Sequence, residues 1–167
     1  MKLILATDKN WAIGNQGGLL CHLSGDLKYF KERTTGKTVV MGRATLESLP
    51  GGKPLPNREN IVLSTRADYA PSGVTVVHSE EELSAVLAGL DSDEVMIIGG
   101  GKVYRDFLPK CDTCYITKIY AEFPADTWFV NLDEMPEFEV VWESELQEEK
   151  GICYQFFEYR RKEDGKK

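Results

Sequence analysis

The sequence predicts an α/β fold whose central sheet is mixed but mainly parallel. Short apolar runs rich in Val and Ile recur along the chain, and stretches with helical spacing separate several of them. Strands that alternate with helices are typical of a parallel sheet, because the chain has to cross back over the sheet between parallel neighbours. The length of 167 residues suits one domain. We therefore expect a domain over residues 1–160 and a charged tail over residues 161–167.

Five apolar runs are predicted to be strands that helices cover on both faces of the sheet. They span residues 3–6, 38–41, 60–63, 74–77 and 95–98. The C-terminal third has a different pattern. Three strands without an obvious helix between them are predicted there, at residues 115–119, 137–143 and 153–159. Strands joined without helices usually pair antiparallel, so we expect the sheet to end in an antiparallel edge.

Four helices are predicted from apolar spacing and from residues that commonly begin helices. They span residues 23–33, 44–48, 79–90 and 103–108. Ser24 is the expected N-cap of the first helix, because its hydroxyl can accept a hydrogen bond from a free backbone N–H. Ser79 and Glu82 have the spacing of a capping box at the start of the third helix.

The charge balance argues against polyanionic partners. The chain has 20 Lys and Arg residues against 27 Asp and Glu residues, a net charge of -7, which disfavours nucleic acid and anionic membranes. A local cluster of donors can still bind a small anion. Asp8 ends the apolar N-terminal run too early for a signal sequence, and no run has the length of a membrane span. We expect a cytoplasmic monomer with reduced cysteines.

Metal binding and hydrolase chemistry have little support in the sequence. Cys111 and Cys114 form a C-x-x-C pair, but no second pair or histidine lies at metal-ligand spacing, and a predicted strand follows instead of a helix. We interpret the pair as structural and predict no metal. With only His22 and His78, and without a G-x-S-x-G motif, a serine or cysteine hydrolase is not indicated.

Two predicted turns from strand to helix combine glycine with hydrogen-bond donors. The first is Gly42-Arg43-Ala44-Thr45, and the second is Gly99-Gly100-Gly101-Lys102-Val103-Tyr104. Glycine lets the backbone approach a ligand, and helix-start amides with a guanidinium and a hydroxyl suit a phosphate. Open parallel sheets bind nucleotides at this edge, although a tight turn without a ligand is the alternative. The Rossmann pattern fails at Tyr104 and the P-loop pattern fails at Lys31.

A third cluster of donors follows another predicted strand, at Leu63-Ser64-Thr65-Arg66. Two hydroxyls and a guanidinium suit a phosphate monoester, such as the 2′-phosphate that distinguishes NADP from NAD. Arg43 could supply a second guanidinium. A solvated loop explains this stretch equally well.

Asp26 is the candidate acid–base residue. It falls in the first turn of a predicted helix, where a surface carboxylate favoured by the helix dipole is the simplest interpretation. Leu27 and Phe30 indicate instead an apolar wall beside it, and a glycine-rich segment at residues 14–20 could close over it. There, desolvation would raise the pKa of Asp26, and its two oxygens could bind an amidine-like group. His22 could pair with Asp26, but we interpret it as a partly exposed loop residue.

Several motifs occur in a fixed order along residues 3–159. They are Ala12-Ile13-Gly14, Leu23-x-x-Asp26-Leu27-x-x-Phe30-Lys31, Val40-Met41-Gly42-Arg43-x-Thr45-x-Glu47-Ser48, Pro54-Leu55-Pro56-x-Arg58-x-Asn60, Ile97-Ile98-Gly99-Gly100-Gly101-x-x-Tyr104 and Thr117. Together they closely resemble the dihydrofolate reductase family. The resemblance implies a mixed sheet of eight strands flanked by helices. It also implies a cytoplasmic enzyme that reduces 7,8-dihydrofolate to 5,6,7,8-tetrahydrofolate with NADPH as cofactor.

The resemblance implies roles for individual residues. Asp26, bridged by Thr117, would bind the pterin 2-amino group and N3, while hydride passes from nicotinamide C4 to pterin C6 and N5 gains a proton through water. Arg58 would bind the α-carboxylate of the glutamate tail. The folate slot would be lined by Leu5, Leu27, Phe30, Leu49 and Leu55. The nicotinamide would be faced by Ala6, Ile13, Gly14, Leu19 and Ile98. The phosphates and the adenosine half would be bound by Arg43, Thr45, Ser64, Thr65, Gly100, Gly101, Lys102 and Tyr104.

One departure from the family pattern concerns Leu20 and Cys21, which stand where the family usually has Pro-Trp. The indole N–H at that place normally holds an ordered water against the substrate. A thiol is smaller and a weaker donor than an indole. We therefore hypothesise a wetter or roomier pterin pocket.

Two other functions stay open on the sequence alone. A related pterin or pyrimidine reductase, such as the reductase domain of riboflavin synthesis, resembles this fold, but a substrate without a glutamate tail gives Arg58 no partner. A non-catalytic nucleotide-binding module would keep the glycine turns, and the departure at Cys21 is compatible with it. Loss of NADPH absorbance on addition of dihydrofolate distinguishes these alternatives.

Overall fold

The computed structural model describes residues 1–16 and 18–162 and confirms the α/β fold with a mainly parallel sheet. The strands among these residues are β1 (Lys2–Thr7), β2 (Ala12–Gly14), β3 (Thr38–Gly42), β4 (Glu59–Leu63), β5 (Thr75–Val77), β6 (Val95–Gly99), β7 (Thr113–Ile119), β8 (Thr127–Trp128), β9 (Phe138–Glu143), β10 (Gln147–Glu149) and β11 (Ile152–Arg161). The α-helices are α1 (Ser24–Thr34), α2 (Arg43–Ser48), α3 (Glu80–Ala88) and α4 (Gly101–Phe107).

The main sheet runs in the order β10-β11-β7-β1-β6-β3-β4-β5. All neighbours from β7 to β5 are parallel, whereas β11 is antiparallel to β7. Both β9 and β10 pair with β11, at opposite ends of its outer edge. They are two segments of one interrupted edge strand. The described sheet therefore has nine strands by segment but eight by position, and it ends in the predicted antiparallel edge.

Helices cover both faces of the sheet, and the sheet separates the two main clusters of core residues. On one face, α3 and α4 contribute Leu83 and Phe107 to a cluster that includes Leu5. On the other face, α1 contributes Tyr29 to a cluster that includes Ile4. Successive strand residues point to opposite faces, which is why Ile4 and Leu5 are separated. Burial of each such side chain contributes roughly 1.5–3 kcal/mol, so the two clusters hold the strands firmly in register.

Of the two predicted helix caps, one is observed and one is not. Leu23 is the N-cap of α1 and Ser24 is its first residue, so the predicted cap is wrong. The backbone N–H of Ser24 donates instead to the carboxylate of Glu149 on β10, which replaces a local cap. Ser79 does cap α3, because its Oγ accepts from the N–H of Glu82 at 3.0 Å. The Glu82 carboxylate binds the N–H of the residue before Ser79.

The last strand extends one residue past residue 160, the predicted end of the domain. β11 runs to Arg161, whose guanidinium donates to the carbonyl oxygens of Leu108 and Cys111. The N–H of Lys162 donates to the carbonyl oxygen of Glu137 at 2.8 Å. These bonds join residues 161 and 162 to the rest of the fold, and the boundary after residue 160 stays a prediction. Of the charged tail predicted for residues 161–167, residues 163–167 lie outside the described residues.

Three short strands were not predicted, namely β2, β8 and β10. Each has only two or three residues, which is too short for an alternating apolar pattern. They form because a partner is present: β2 pairs with β8, and β10 pairs with β11. Within the described residues, none of the helices has the length and apolar content that crossing a membrane requires.

Candidate active site

The predicted site residues meet at the carboxyl ends of the parallel strands. β3 ends at Gly42, β4 ends at Leu63 and β6 ends at Gly99. On the far side of β6, Ala6 near the end of β1 pairs with Thr117 of β7. Because parallel neighbours end at the same edge of a sheet, the turns after these strands lie side by side.

Asp26 lies in the first turn of α1 and contacts β7. Thr117 Oγ1 donates a hydrogen bond to Asp26 Oδ1 at 2.7 Å. Burial raises the pKa of Asp26 because it penalises the charged form, and the bond from Thr117 acts in the opposite direction. A carboxyl group perturbed in this way is typical of a functional site. His22 is exposed, in line with its interpretation as a loop residue.

Apolar side chains from α1 and from the segment after α2 accompany Asp26. Three of them pack against the core cluster on the α1 face of the sheet: Phe30, Leu49 and Leu55. Leu27 follows Asp26 on α1 and remains 46% exposed. Leu19, in the preceding loop, is 51% exposed. These two exposed side chains offer apolar surface to a ligand beside the carboxylate.

One residue predicted to line the folate slot points the other way. The Leu5 side chain packs in the cluster on the opposite face of the sheet. Ala6 pairs with Thr117, so strand alternation puts Ile4 and Ala6 on the Thr117 face. Ile4 also packs in the cluster that Phe30 joins. Ile4, which the sequence analysis did not name, is thus the β1 side chain that shares the Thr117 face with Ala6, and the period of two could have indicated it.

Arg58 is held beside the far end of α1. Its Nε donates to the carbonyl oxygen of Pro56 at 2.9 Å, and its Nη1 donates to Thr34 Oγ1 at 2.8 Å. Partial burial lowers the pKa of Arg58. Thr34 ends the helix that Asp26 begins, and eight helical steps of 1.5 Å separate the two residues by roughly 12 Å. A molecule that engages both Asp26 and Arg58 is therefore elongated.

The two glycine turns lie against each other. A Cβ built at Gly42 would lie 3.5 Å from Val103 Cγ2 and 3.9 Å from the nitrogen of Gly100. A Cβ at Gly99 would lie 3.1 Å from Thr45 Oγ1. The first two distances are ordinary contacts, whereas the third leaves little room for a side chain at Gly99. The Gly99–Gly100 peptide bond is cis. The sequence placed both turns at one edge, and the structure joins them into one surface.

Two cations beside these turns make ion pairs that a ligand can replace. Arg43 Nη1 lies 2.9 Å from Glu47 Oε1, and Lys102 Nζ lies 2.6 Å from Asp106 Oδ2. Both are pairs between residues four apart on a short helix at the protein surface. Solvent-exposed pairs of this kind contribute little to stability, so a phosphate that binds either cation displaces little.

The segment after β4 divides into a buried and an exposed part. Ser64 is buried, and its Oγ accepts from the N–H of Arg66 at 3.2 Å, which shapes the turn. The side chains of Thr65 and Arg66 are exposed, whereas Leu63 is partly buried. Thr65 and Arg66 are thus the residues of this cluster that solvent can reach.

Several other predicted cofactor residues have defined places around these turns. Tyr104 is buried, and its hydroxyl donates to the carbonyl oxygen of Ile4 at 2.7 Å, so it anchors α4 to β1. Burial raises the pKa of Tyr104. Ile98 is buried in β6 and Ala44 is exposed on α2. The partly buried pair Ile13 and Gly14 belongs to β2.

Comparison with known proteins agrees with this arrangement. The family model for dihydrofolate reductase matches residues 1–161. Dihydrofolate reductase of Bacillus subtilis (strain 168) is 39% identical over 167 residues, which cover 99% of this chain and 97% of the relative. Dihydrofolate reductase of Haemophilus influenzae (strain ATCC 51907 / DSM 11121 / KW20 / Rd) is 47% identical over 131 residues, 78% of this chain and 79% of the relative.

A solved structure gives the same result. The dihydrofolate reductase from Enterococcus faecalis, complexed with NADP(H) and RAB-propyl, superimposes with a TM-score of 0.87 at 37% identity. The match covers 98% of this chain and 96% of that one. The chain belongs to the dihydrofolate reductase family. It is an NADP-dependent oxidoreductase, and the family reaction is the reduction of dihydrofolate to tetrahydrofolate.

Cys21 lies next to the catalytic region of this reductase. It is partly buried and packs against the small cluster of Leu23, Ile119 and Tyr154. Burial raises the pKa of the Cys21 thiol; Lys150 opposes this shift, and Asp26 adds to it. A protonated thiol is a weak donor. The hypothesis of a roomier pterin pocket beside Cys21 stays a prediction.

The C-x-x-C pair, Cys111 and Cys114, lies in the core of the reductase. Cys111 and Cys114 are both buried, and burial raises the pKa of Cys111 to about 12. It raises the pKa of Cys114 as well. Thiols held protonated in apolar surroundings are poor nucleophiles and poor metal ligands. This environment suits the structural interpretation.

Proposed function

We propose that this reductase binds the pterin of 7,8-dihydrofolate through Asp26 and Thr117. The observation that carries the proposal is the partly buried Asp26 carboxyl, 2.7 Å from Thr117 Oγ1, at the strand edge that holds the glycine turns. Two carboxylate oxygens match the two N–H donors of the pterin 2-amino group and N3 in a bidentate pair. The bond from Thr117 fixes the orientation in which Asp26 meets the ring.

Asp26 acts on the ring, and in our proposal the proton for N5 comes through water. Burial raises the pKa of the Asp26 carboxyl above its ordinary value, and the bond from Thr117 acts in the opposite direction. We place the approach of this water beside Leu20 and Cys21, which stand where the family usually has Pro-Trp. In this proposal Asp26 binds the ring and water delivers the proton.

The other end of the substrate is assigned to Arg58. Its guanidinium is positioned by Pro56 and Thr34, and it lies one helix length from Asp26. A cation there suits the α-carboxylate of a glutamate tail. Between these ends, an apolar slot would be formed by Ile4, Leu27, Phe30, Leu49 and Leu55. Leu5 contributes backbone to this slot, because its side chain lies on the opposite face.

The glycine turns suit the cofactor NADPH. A Cβ at Gly101 would lie only 2.7 Å from Thr127 Cγ2, so a bare backbone is required where the pyrophosphate would approach. We assign the pyrophosphate to Thr45, Gly100, Gly101 and Lys102, and the 2′-phosphate to Thr65 and Arg66 with Arg43 as a second guanidinium. Ser64 and Tyr104 shape these turns from within. When bound, NADPH supplies the hydride that reaches pterin C6 from nicotinamide C4. Ala6, Ile13, Gly14, Leu19 and Ile98 would enclose the nicotinamide.

The alternatives are distinguished by one measurement. We expect NADPH absorbance to fall when dihydrofolate is added to the purified protein, and not when a pterin without a glutamate tail is added at the same concentration. Equal rates with both substrates would favour a related pterin reductase. Flat absorbance with folded, NADPH-bound protein would indicate a non-catalytic nucleotide-binding module.

We also propose that the enzyme works in the cytoplasm as a monomer. All four cysteines lie within the described residues, and the structure joins none of them in a disulfide. Reduced thiols suit that compartment. Sedimentation of the protein in the presence of NADPH tests the monomer, and fractionation of cells tests the location.

A further inference from the structure

The catalytic helix α1 begins without a cap from its own segment. Its N-cap residue is Leu23, whose side chain has no polar atom, and the first backbone N–H groups of a helix have no partner within the helix. These groups are bound from the other end of the chain. Glu149 Oε2 accepts from the N–H of Ser24 at 2.8 Å, and Glu149 Oε1 accepts from the N–H of Gly25 at 3.2 Å. The Ser24 hydroxyl donates to Glu149 Oε1 at 3.0 Å.

Tyr154 restricts the same turn of the helix. A Cβ at Gly25 would collide with Tyr154 Oη, so the phenol is in close contact with the helix backbone. Tyr154 lies on β11 and pairs with Gln147 of β10, the strand that ends at Glu149. Two residues of the β10–β11 hairpin, Glu149 and Tyr154, therefore contact residues 24 and 25.

Asp26 is the next residue along the chain. Any movement of the first turn of α1 shifts its carboxyl relative to Thr117, which is fixed in the middle of the sheet. Two backbone bonds and one hydroxyl bond to a single carboxylate define where that turn lies. A carboxylate also interacts favourably with the positive end of a helix dipole.

We propose that Glu149 is a positioning residue for the reaction: its carboxylate fixes the first turn of α1 and thereby holds Asp26 in hydrogen-bond contact with Thr117. This inference rests on the role of Asp26 in the proposed function. Glu149 acts through its hydrogen bonds to Ser24 and Gly25, the two residues that precede Asp26. The β10–β11 hairpin is thus a support of the active site as well as the edge of the sheet.

The test compares Glu149→Ala with two controls in the full-length protein. Glu148→Ala removes the same charge from the neighbouring exposed position. Ser79→Ala removes a helix cap of similar energy from α3. We expect Glu149→Ala to lower kcat/KM by roughly 10-fold, since small misplacements of catalytic groups have effects of this size or larger. Both controls should keep kcat/KM near the wild-type value, and Glu149→Gln, which retains one acceptor oxygen, should lie between.

The second readout reports the position of Asp26 directly. NMR titration of isotope-labelled aspartate carboxyl groups, assigned with Asp26→Asn, follows the pKa of Asp26 in each variant. Burial is the largest cause of its raised pKa, so displacement toward water in Glu149→Ala should lower that pKa. Ser79→Ala should leave it unchanged, whatever its loss of thermal stability.

A merely structural cap gives a different pattern. If Glu149→Ala lowers the unfolding temperature as Ser79→Ala does, and kcat/KM and the Asp26 titration stay at wild-type values, the proposal is overturned. Should Glu149→Ala fail to fold, the same comparison is made with Glu149→Gln. The titration needs no substrate, so a wild-type protein inactive toward dihydrofolate would refute the proposed function without deciding the role of Glu149.

Discussion

The nucleotide half of the site and the pterin half are built in different ways. The turns after β3 and β6 are short contiguous segments in which glycine, a cation and a hydroxyl follow one another. The pterin half joins residues far apart: Thr117 lies 91 residues after Asp26, and Glu149 lies 125 residues after Ser24. A contiguous turn brings its glycine, cation and hydroxyl together as soon as the turn itself forms. The pterin half depends on the antiparallel edge of the sheet and is more sensitive to distant substitutions.

Replacing Asp26 by Asn is expected to have the largest effect, because it removes the charged centre of the pterin half. Turnover should fall by about 100-fold or more, most strongly at neutral and high pH, where the substrate is least protonated. Steady-state rates across a pH series, followed by NADPH absorbance, measure this. Asp93→Asn, at an exposed position far from the site, serves as the control. An unaltered pH profile would remove Asp26 from the mechanism.

The same Asp26→Asn variant should gain stability. The folded-state pKa of Asp26 is raised, so the folded protein binds this proton more tightly than the unfolded chain does. Wild-type stability is therefore lost as the pH rises from the ordinary value of 3.8 through the raised folded-state value. Asn has no such loss and can still accept the bond from Thr117. Thermal unfolding should show a higher midpoint for the variant at neutral pH, and the gap should narrow below pH 3.8; a constant gap would contradict this linkage.

Thr117→Val sharpens the comparison by removing one hydroxyl from the pterin half without changing its shape. A hydrogen bond to a charged group contributes roughly 1.5–3 kcal/mol, so kcat/KM should fall by about 10-fold or more. Thr113→Val removes a hydroxyl from the start of the same strand, where it donates to Asp112, and should have little effect on rate. Similar losses of kcat/KM in both variants would mean that removal of any hydroxyl from β7 lowers the rate and that the bond from Thr117 to Asp26 has no special role.

Neutralising the cations tests the nucleotide half. Arg43→Gln and Arg66→Gln should weaken NADPH binding by roughly 10-fold, the scale of a charge-assisted contact, and NADH binding by less. Fluorescence titration with both nucleotides gives the two affinities. Lys37→Gln is the matched control, because Lys37 precedes β3 at the opposite edge of the sheet and pairs with Glu94. Equal losses for NADPH and NADH would mean that neither arginine binds the 2′-phosphate.

Cys21→Trp is expected to have the smallest effect and concerns the boundary of the pterin half. An indole fills more space than a thiol and adds a stronger donor, so dihydrofolate and antifolate affinities should rise by a few fold. Equilibrium binding to the purified variant measures both. Cys153→Ser, at a partly buried position on β11, controls for loss of a thiol. Unchanged affinities would make the hypothesis of a roomier pocket wrong.

The fold was largely predictable because its signals are local. Each predicted strand and helix overlaps an observed one, since apolar period and turn residues act within a few residues of each other. The exceptions have non-local causes. Ser24 does not cap α1, because a carboxylate 125 residues away occupies the N–H groups. Arg161 belongs to β11 because its backbone pairs with Phe138 of β9, and its guanidinium also donates to the carbonyl oxygens of Leu108 and Cys111.

The candidate site also has a part that depends on local sequence and a part that depends on contacts between distant residues. The glycine turns and Asp26 were recognisable in the sequence, because residue type and spacing carry their chemistry. Their mutual placement was not: strand register decides that Ile4 faces Thr117 and that Leu5 faces away. Burial decides that Tyr104 supports α4 from inside the core.

Residue order along the chain was therefore enough for the class of fold, the family resemblance and the two kinds of ligand. It was not enough for the state of the catalytic carboxyl. The pKa of Asp26 rises through burial, and its position depends on Thr117 and Glu149, which approach only when the sheet has formed. Desolvation and hydrogen-bond geometry are properties of packed surroundings, so they exist only in the folded protein.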